Sequence, residues 1–138
     1  MLRDWSDAYS INIPEIDHQH QGFFGAAHRL YERILDREEK PALLEAVAFM
    51  RNYAQSHFTA EEAFMRKHEY PALVYHQSLH AAFFERLDAL AQDLTNFGPS
   101  QDLADRALDL TQDWLVDHIA DEDVLYALHA KSRAAATG

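Results

Sequence analysis

Two residue pairs define the chemistry open to this chain. His57 and Glu61 stand four residues apart, and so do His76 and His80. On an α-helix, residues i and i+4 share a face one turn apart, so each pair can offer two ligand atoms to one ion. His20 and His118 fall in the same kind of apolar stripe, which places five histidines, one or more per expected helix, toward one interior. A carboxylate such as Glu61 in that stripe is costly to bury without a partner, and a cation supplies one. Imidazole suits zinc, copper, iron and nickel, while carboxylate favours harder ions. Five imidazoles exceed the four ligands of a tetrahedral zinc, so two metals bridged by carboxylates account for the set better than one. Iron fits the mixture. The second carboxylate must come from near His118. Spacing leaves Asp121, Glu122 and Asp123 all open, with Glu122 the i+4 match.

The elements that carry these residues follow from apolar spacing. A first helix is expected from Glu15–Asp17 to Asp36–Glu39, with His20, Phe23/Phe24, Ala27, Leu30/Tyr31 and Ile34 inward. A second opens at Pro41 and turns Leu44, Val47, Met50/Arg51, Ala54, His57/Phe58, Glu61 and Phe64/Met65 inward. A third, opened by Pro71, carries Leu73, His76, Leu79/His80, Phe83/Phe84, Leu87, Leu90 and Leu94. The segment from Thr95 to Ser100, with its Gly-Pro, is a loop. A fourth helix from Gln101 carries Leu103, Ala107, Leu110, Trp114, His118 and Leu125. Helices of this length joined by short loops predict an all-α, up-down-up-down antiparallel four-helix bundle. Residues 1–15 read as an irregular arm anchored by Trp5, Tyr9, Ile11 and Ile13, with Pro14 blocking regular pairing. One bundle domain is expected over residues 1–130, with a disordered tail at 131–138.

Composition narrows the function. The formal charge of −11 argues against nucleic acid or an anionic membrane as partner. The absence of cysteine excludes disulfides, iron–sulfur clusters and thiolate zinc sites. No apolar run reaches the ~20 residues of a membrane span, and MLRDWSDAYS lacks the apolar centre of a signal peptide. A cytoplasmic location is the expectation.

Four stretches, in order, carry a family resemblance: Ile16-Asp17-His18-Gln19-His20; His57-Phe58-Thr59-Ala60-Glu61-Glu62; Tyr70-Pro71 followed by His76 and His80; and Trp114-Leu115 followed by His118-Ile119 and Asp123. The chain resembles a hemerythrin, in particular a single-domain bacterial hemerythrin. The resemblance implies a four-helix bundle around two non-haem iron ions with an oxo or hydroxo bridge. It implies that His76, His80 and His118 ligate one iron and His20 and His57 the other, with Glu61 and Asp123 bridging. Asp123 is preferred to Glu122 here because the family places that carboxylate five residues after the histidine. O2 would bind at the open position of the second iron. Phe23, Phe58, Trp114, Leu115 and Ile119 lie within one turn of ligands and would form its dry pocket. Phe23 stands where relatives often have leucine or isoleucine, so its larger ring is expected to alter O2 release. His18, His28, His68 and His129 are not assigned as ligands. The implied function is reversible O2 binding for storage, transport or delivery to an oxygen-using enzyme, without catalysis of its own. The alternatives are a diiron peroxidase, oxidase or nitric-oxide-reducing enzyme, or a sensor of O2, redox state or iron. Glu15 and His18 match one ferritin-type Glu-x-x-His element, but that class needs two.

Overall fold

The computed structural model describes residues 2–137. Three long helices, α1 (Pro14–Leu35), α2 (Lys40–Lys67) and α3 (Leu73–Phe97), are followed by a fourth helical run. That run comprises α4 (Gln101–Leu108), a π-helical segment (Asp109–Asp113), α5 (Trp114–His118), a second π-helical segment (Ile119–Asp123) and α6 (Val124–Thr137). Helix α1 packs against α2 and α4, α2 against α3, and α3 against α4, which closes the four-helix ring. No helix among the described residues is long and apolar enough to cross a membrane.

Local chemistry sets the helix ends. Pro14 starts α1, where its fixed φ and missing N–H cost nothing, with Glu15 and Asp17 at the positive end of the dipole. The proline read as blocking regular pairing in the arm is thus the first residue of the helix. Pro41 plays the same part in α2. Pro71 does not open α3: it lies in the turn before Leu73. Glu69, at φ 53°, reverses the chain there, and the Tyr70 N–H donates to the Met65 carbonyl at 2.9 Å. Gly98 ends α3 with φ 77°, a conformation glycine adopts without steric cost, and Ser100 caps α4 by accepting from the Leu103 N–H at 3.1 Å.

The expected stripes hold through α1, α2 and α3, apart from Leu43 replacing Leu44 as the fully buried leucine and Arg51, expected inward, pairing with Asp88 at the surface. The fourth stripe does not hold to its end. Leu125, expected inside, is 45% exposed, while Tyr126 is 1% exposed. Each π segment adds about one residue to a turn, so α-helical counting slips by one position after it.

The arm is pinned rather than loose. Ser10 Oγ and the Ile11 N–H donate to Asp17 at 2.5 and 2.9 Å, and the Arg3 N–H donates to Gln112 Oε1 at 2.7 Å. Tyr9 stacks on Phe24 with ring centroids 5.5 Å apart, and Trp5 meets Phe24 edge-on at 6.0 Å. Residues 131–137 continue α6, an outcome the helix-forming Lys131, Arg133 and three alanines favour. Arg133 also reaches Glu69 at 3.5 Å. Gly138 lies outside the described residues.

Candidate metal centre

Seven side chains meet in the bundle interior. His20 comes from α1, His57 and Glu61 from α2, His76 and His80 from α3, His118 from α5, and Asp123 from the second π segment. None is more than 5% exposed. Their ligand atoms form two groups, Glu61 with His76, His80 and His118, and Glu61 with His20 and His57, each gathered within 4.8 Å. Glu61 faces both. Its Oε1 meets His57 Nε2 and lies 3.4 Å from His20 Nε2, while its Oε2 lies 3.4 and 3.6 Å from His76 and His80 Nε2. Asp123 is divided in the same sense, with Oδ2 3.2 Å from His20 and Oδ1 3.1 Å from both His76 and His118. Each carboxylate thus turns one oxygen to each group.

The second π segment explains why Asp123 is the inward acid. In an ideal α-helix Glu122 would follow His118 on the same face. A π turn bonds i to i+5 and brings the fifth residue onto that face instead. Asp123 is fully buried, whereas Glu122 is half-buried and lines an outer groove with Asp117 and Asp121. Asp123→Asn is therefore expected to reduce metal uptake by at least tenfold in affinity, and Glu122→Gln to leave it unchanged. Metal titration of both variants checks this, and equal losses would place the wrong acid in the site.

The carboxylates set the charge state of the metal-free centre. Burial lowers the pKa of His20 and His76, but hydrogen-bond contact with Asp123 and Glu61 outweighs it and raises both to about 9. Burial acts to raise Glu61, and the His57, His20 and His76 imidazoles hold it well below the carboxylate range. Asp123 is held down by His118 and His20 against burial and the Glu61 charge. A raised histidine pKa contributes stability fully below its ordinary ~6.5 and loses it as pH rises through about 9. The melting temperature of the metal-free chain should therefore fall between pH 7 and pH 10. A flat profile over that interval would contradict this charge state. Metal binding at pH 7 should displace these protons.

The same atoms suit cations. His57 Nε2, His80 Nε2, Glu61 Oε2 and both Asp123 oxygens are buried and lack an aligned hydrogen bond. Unsatisfied buried polar atoms are rare, and ligand atoms gathered within 4.8 Å of one another are what a metal site requires. Residues 12–128 match the Hemerythrin HHE cation binding domain. The chain belongs to the hemerythrin family. It is 28% identical to a bacteriohemerythrin of Stenotrophomonas maltophilia, an alignment covering 93% of this chain and 81% of the relative. It is 25% identical to a myohemerythrin of Theromyzon tessulatum, covering 88% of each. A crystal structure of wild-type hemerythrin superposes with a TM-score of 0.78 over 94% of this chain and 98% of its own, at 23% identity, a likeness of fold.

Around this hemerythrin-type centre lies a shell that the sequence did not disclose. Gln19 Oε1 faces His57 Nδ1 at 2.7 Å, and Glu62 Oε2 faces His80 Nδ1 at 3.0 Å. Such partners fix the ring tautomer and leave Nε2 free for a metal. Gln77 in turn donates to Glu62 at 3.0 Å. Phe58 stacks on the His80 ring at 3.8 Å and Trp114 on His118 at 4.4 Å, holding both imidazole planes. Tyr126 packs 5.6 Å from the His76 ring, its hydroxyl buried without a hydrogen-bond partner. Trp5 brings the arm to 6.4 Å from His20. Of the five residues expected to form a dry pocket, Phe23, Phe58, Leu115 and Ile119 are buried, and Trp114 is half-buried at the outer groove. Phe23 lies 6.2 Å from Phe58 and 6.5 Å from Trp114, with Phe83, not counted in that pocket, 5.6 Å away. The remaining histidines stand apart. His18 is exposed, His28 faces Gln112 Oε1 at 2.9 Å, and His129 donates to the His68 carbonyl at 2.9 Å.

Proposed function

We propose that this chain binds O2 reversibly at a pair of non-haem irons, as a store, carrier or source of O2 for an oxygen-using enzyme. In this reading His76, His80 and His118 hold one iron, His20 and His57 hold the other, and Glu61 and Asp123 are shared. The observation that supports it most is the division of each carboxylate between a three-histidine and a two-histidine group. The two-histidine side carries one protein nitrogen fewer, which leaves a position for a small ligand. Bound iron supplies the electrons for O2 binding. The chain's own part is to orient five imidazoles, balance the cation charge with two carboxylates and keep water out. Phe23, Phe58, Leu115 and Ile119 do the last, with Trp114 at the outer edge.

Binding rather than turnover is favoured by what else is buried. Among the described residues, the other buried polar side chains are Thr111 and Gln112, with the Tyr126 phenol beside them in depth. Thr111 donates to the Ala107 carbonyl at 2.6 Å, and Gln112 is engaged with Arg3 and His28. Among the described residues, no buried carboxylic acid or imidazole other than the seven of the centre stands by as a general acid or base.

An oxygen electrode tests the proposal on the reduced, iron-loaded chain. Uptake of one O2 per chain, returned under argon, is the expected result; uptake that cannot be reversed would favour an oxidase. Phe23→Leu is expected to change the O2 dissociation rate several-fold in stopped flow, because the leucine opens space one turn from His20. An unchanged rate would remove Phe23 from the O2 pocket.

A further inference from the structure

We propose that the groove between the N-terminal arm and the helices α2 and α6 binds an amphipathic carboxylate of the medium-chain fatty-acid class. The groove has a volume of about 530 Å³, inside the ~300–1,000 Å³ range of small-molecule sites. Its walls are Ile11 and Ile13 of the arm, Phe64 of α2 and Leu128 of α6, and its ionisable residues are His68 and Lys131. The arm wall is held in place by the two hydrogen bonds from Ser10 and Ile11 to Asp17.

Charge selects the occupant. The chain carries 23 acidic residues against 12 lysines and arginines, yet no acid lines this groove. The outer groove beside Trp114, by contrast, is lined by five acids. Lys67, Arg133 and His129 stand close enough to His68 to disfavour its protonation, in addition to burial. With Arg133 paired to Glu69, Lys67 and Lys131 leave this corner net positive in an otherwise acidic protein. Lys131 pairs with no carboxylate among the described residues. At the end of α2 the carbonyls of Phe64, Met65 and Arg66 accept from the N–H groups of His68, Tyr70 and Glu69, and the His68 carbonyl accepts from His129. A lysine whose stem lies along apolar walls and whose ammonium stays in water matches one carboxylate on an aliphatic tail. Each methylene withdrawn from water adds to binding. The occupant would rest on Phe64, whose ring packs 5.5 Å from Tyr126, the tyrosine against His76.

Isothermal titration of the full chain with decanoate, below its aggregation concentration, tests this without reference to iron or O2. One saturable site per chain is expected. Lys131→Glu, at an exposed position, should weaken it about tenfold or more, and Ala127→Trp, which fills the groove, should abolish it. Circular dichroism establishes that both variants are folded. Decyltrimethylammonium should show no saturable heat. Failure of decanoate to saturate, unchanged affinity in Lys131→Glu, or equal binding of the cationic amphiphile would each overturn the proposal.

Discussion

Glu61→Gln is expected to lower iron content from two per chain to one or fewer. The substitution keeps the side-chain shape and removes the charge. Glu61 is the acid whose two oxygens face four different histidines, so its loss affects both metal groups at once. A neutral amide is a poor bridge between two cations, and the residual charge of Asp123 alone does not offset them. The metal-free protein should suffer as well. His20 and His76 would lose one of the two carboxylates that raise their pKa to about 9. Removing one partner of a buried pair costs ~3–5 kcal/mol. Iron analysis after anaerobic loading, with melting curves of the metal-free forms, checks both parts. A Glu61→Gln chain that retains two irons would show that Glu61 is not shared.

Removing metal from the unsubstituted chain should be almost as damaging. A ligand that binds only the folded state adds about 4 kcal/mol of stability when its free concentration is about 1,000 times Kd. For a chain of this size that corresponds to a shift on the order of 15 °C in Tm. The physical reason lies in the unsatisfied atoms at the centre: both Asp123 oxygens, Glu61 Oε2, His57 Nε2 and His80 Nε2. Without a cation these atoms are desolvated and held only by the poorly aligned histidine–carboxylate contacts of the centre. Calorimetry of chelator-treated and reloaded protein measures the difference. Coincident Tm values would mean that the seven side chains form a self-sufficient polar core.

The histidines were legible because α1, α2 and α3 are regular where they carry site residues. Counting in steps of three and four placed His20, His57, Glu61, His76 and His80 inside, and each is buried. The second acid was not legible from period. No residue type marks a π turn, so counting favoured Glu122, and only the family resemblance pointed to Asp123. The same slip put Leu125 inside and hid Tyr126. Gln19 and Glu62 escaped notice for a different reason. Gln19 sits beside His20 and Glu62 beside Glu61 in sequence, but each serves a histidine on another helix, a relation that only tertiary packing creates. The arm offered Trp5 and Tyr9 as anchors without saying that they meet Phe24 and approach His20.

The most direct test of a shared two-metal centre is electron paramagnetic resonance of the oxidised, iron-loaded chain together with its iron count. If Glu61 and Asp123 hold two ferric ions between them, as proposed, the ions would couple magnetically and cancel their spins. The account predicts two irons per chain and no ferric signal. Two irons per chain with a full signal from isolated high-spin ferric ions would contradict it, because the two histidine groups would then hold their metals independently.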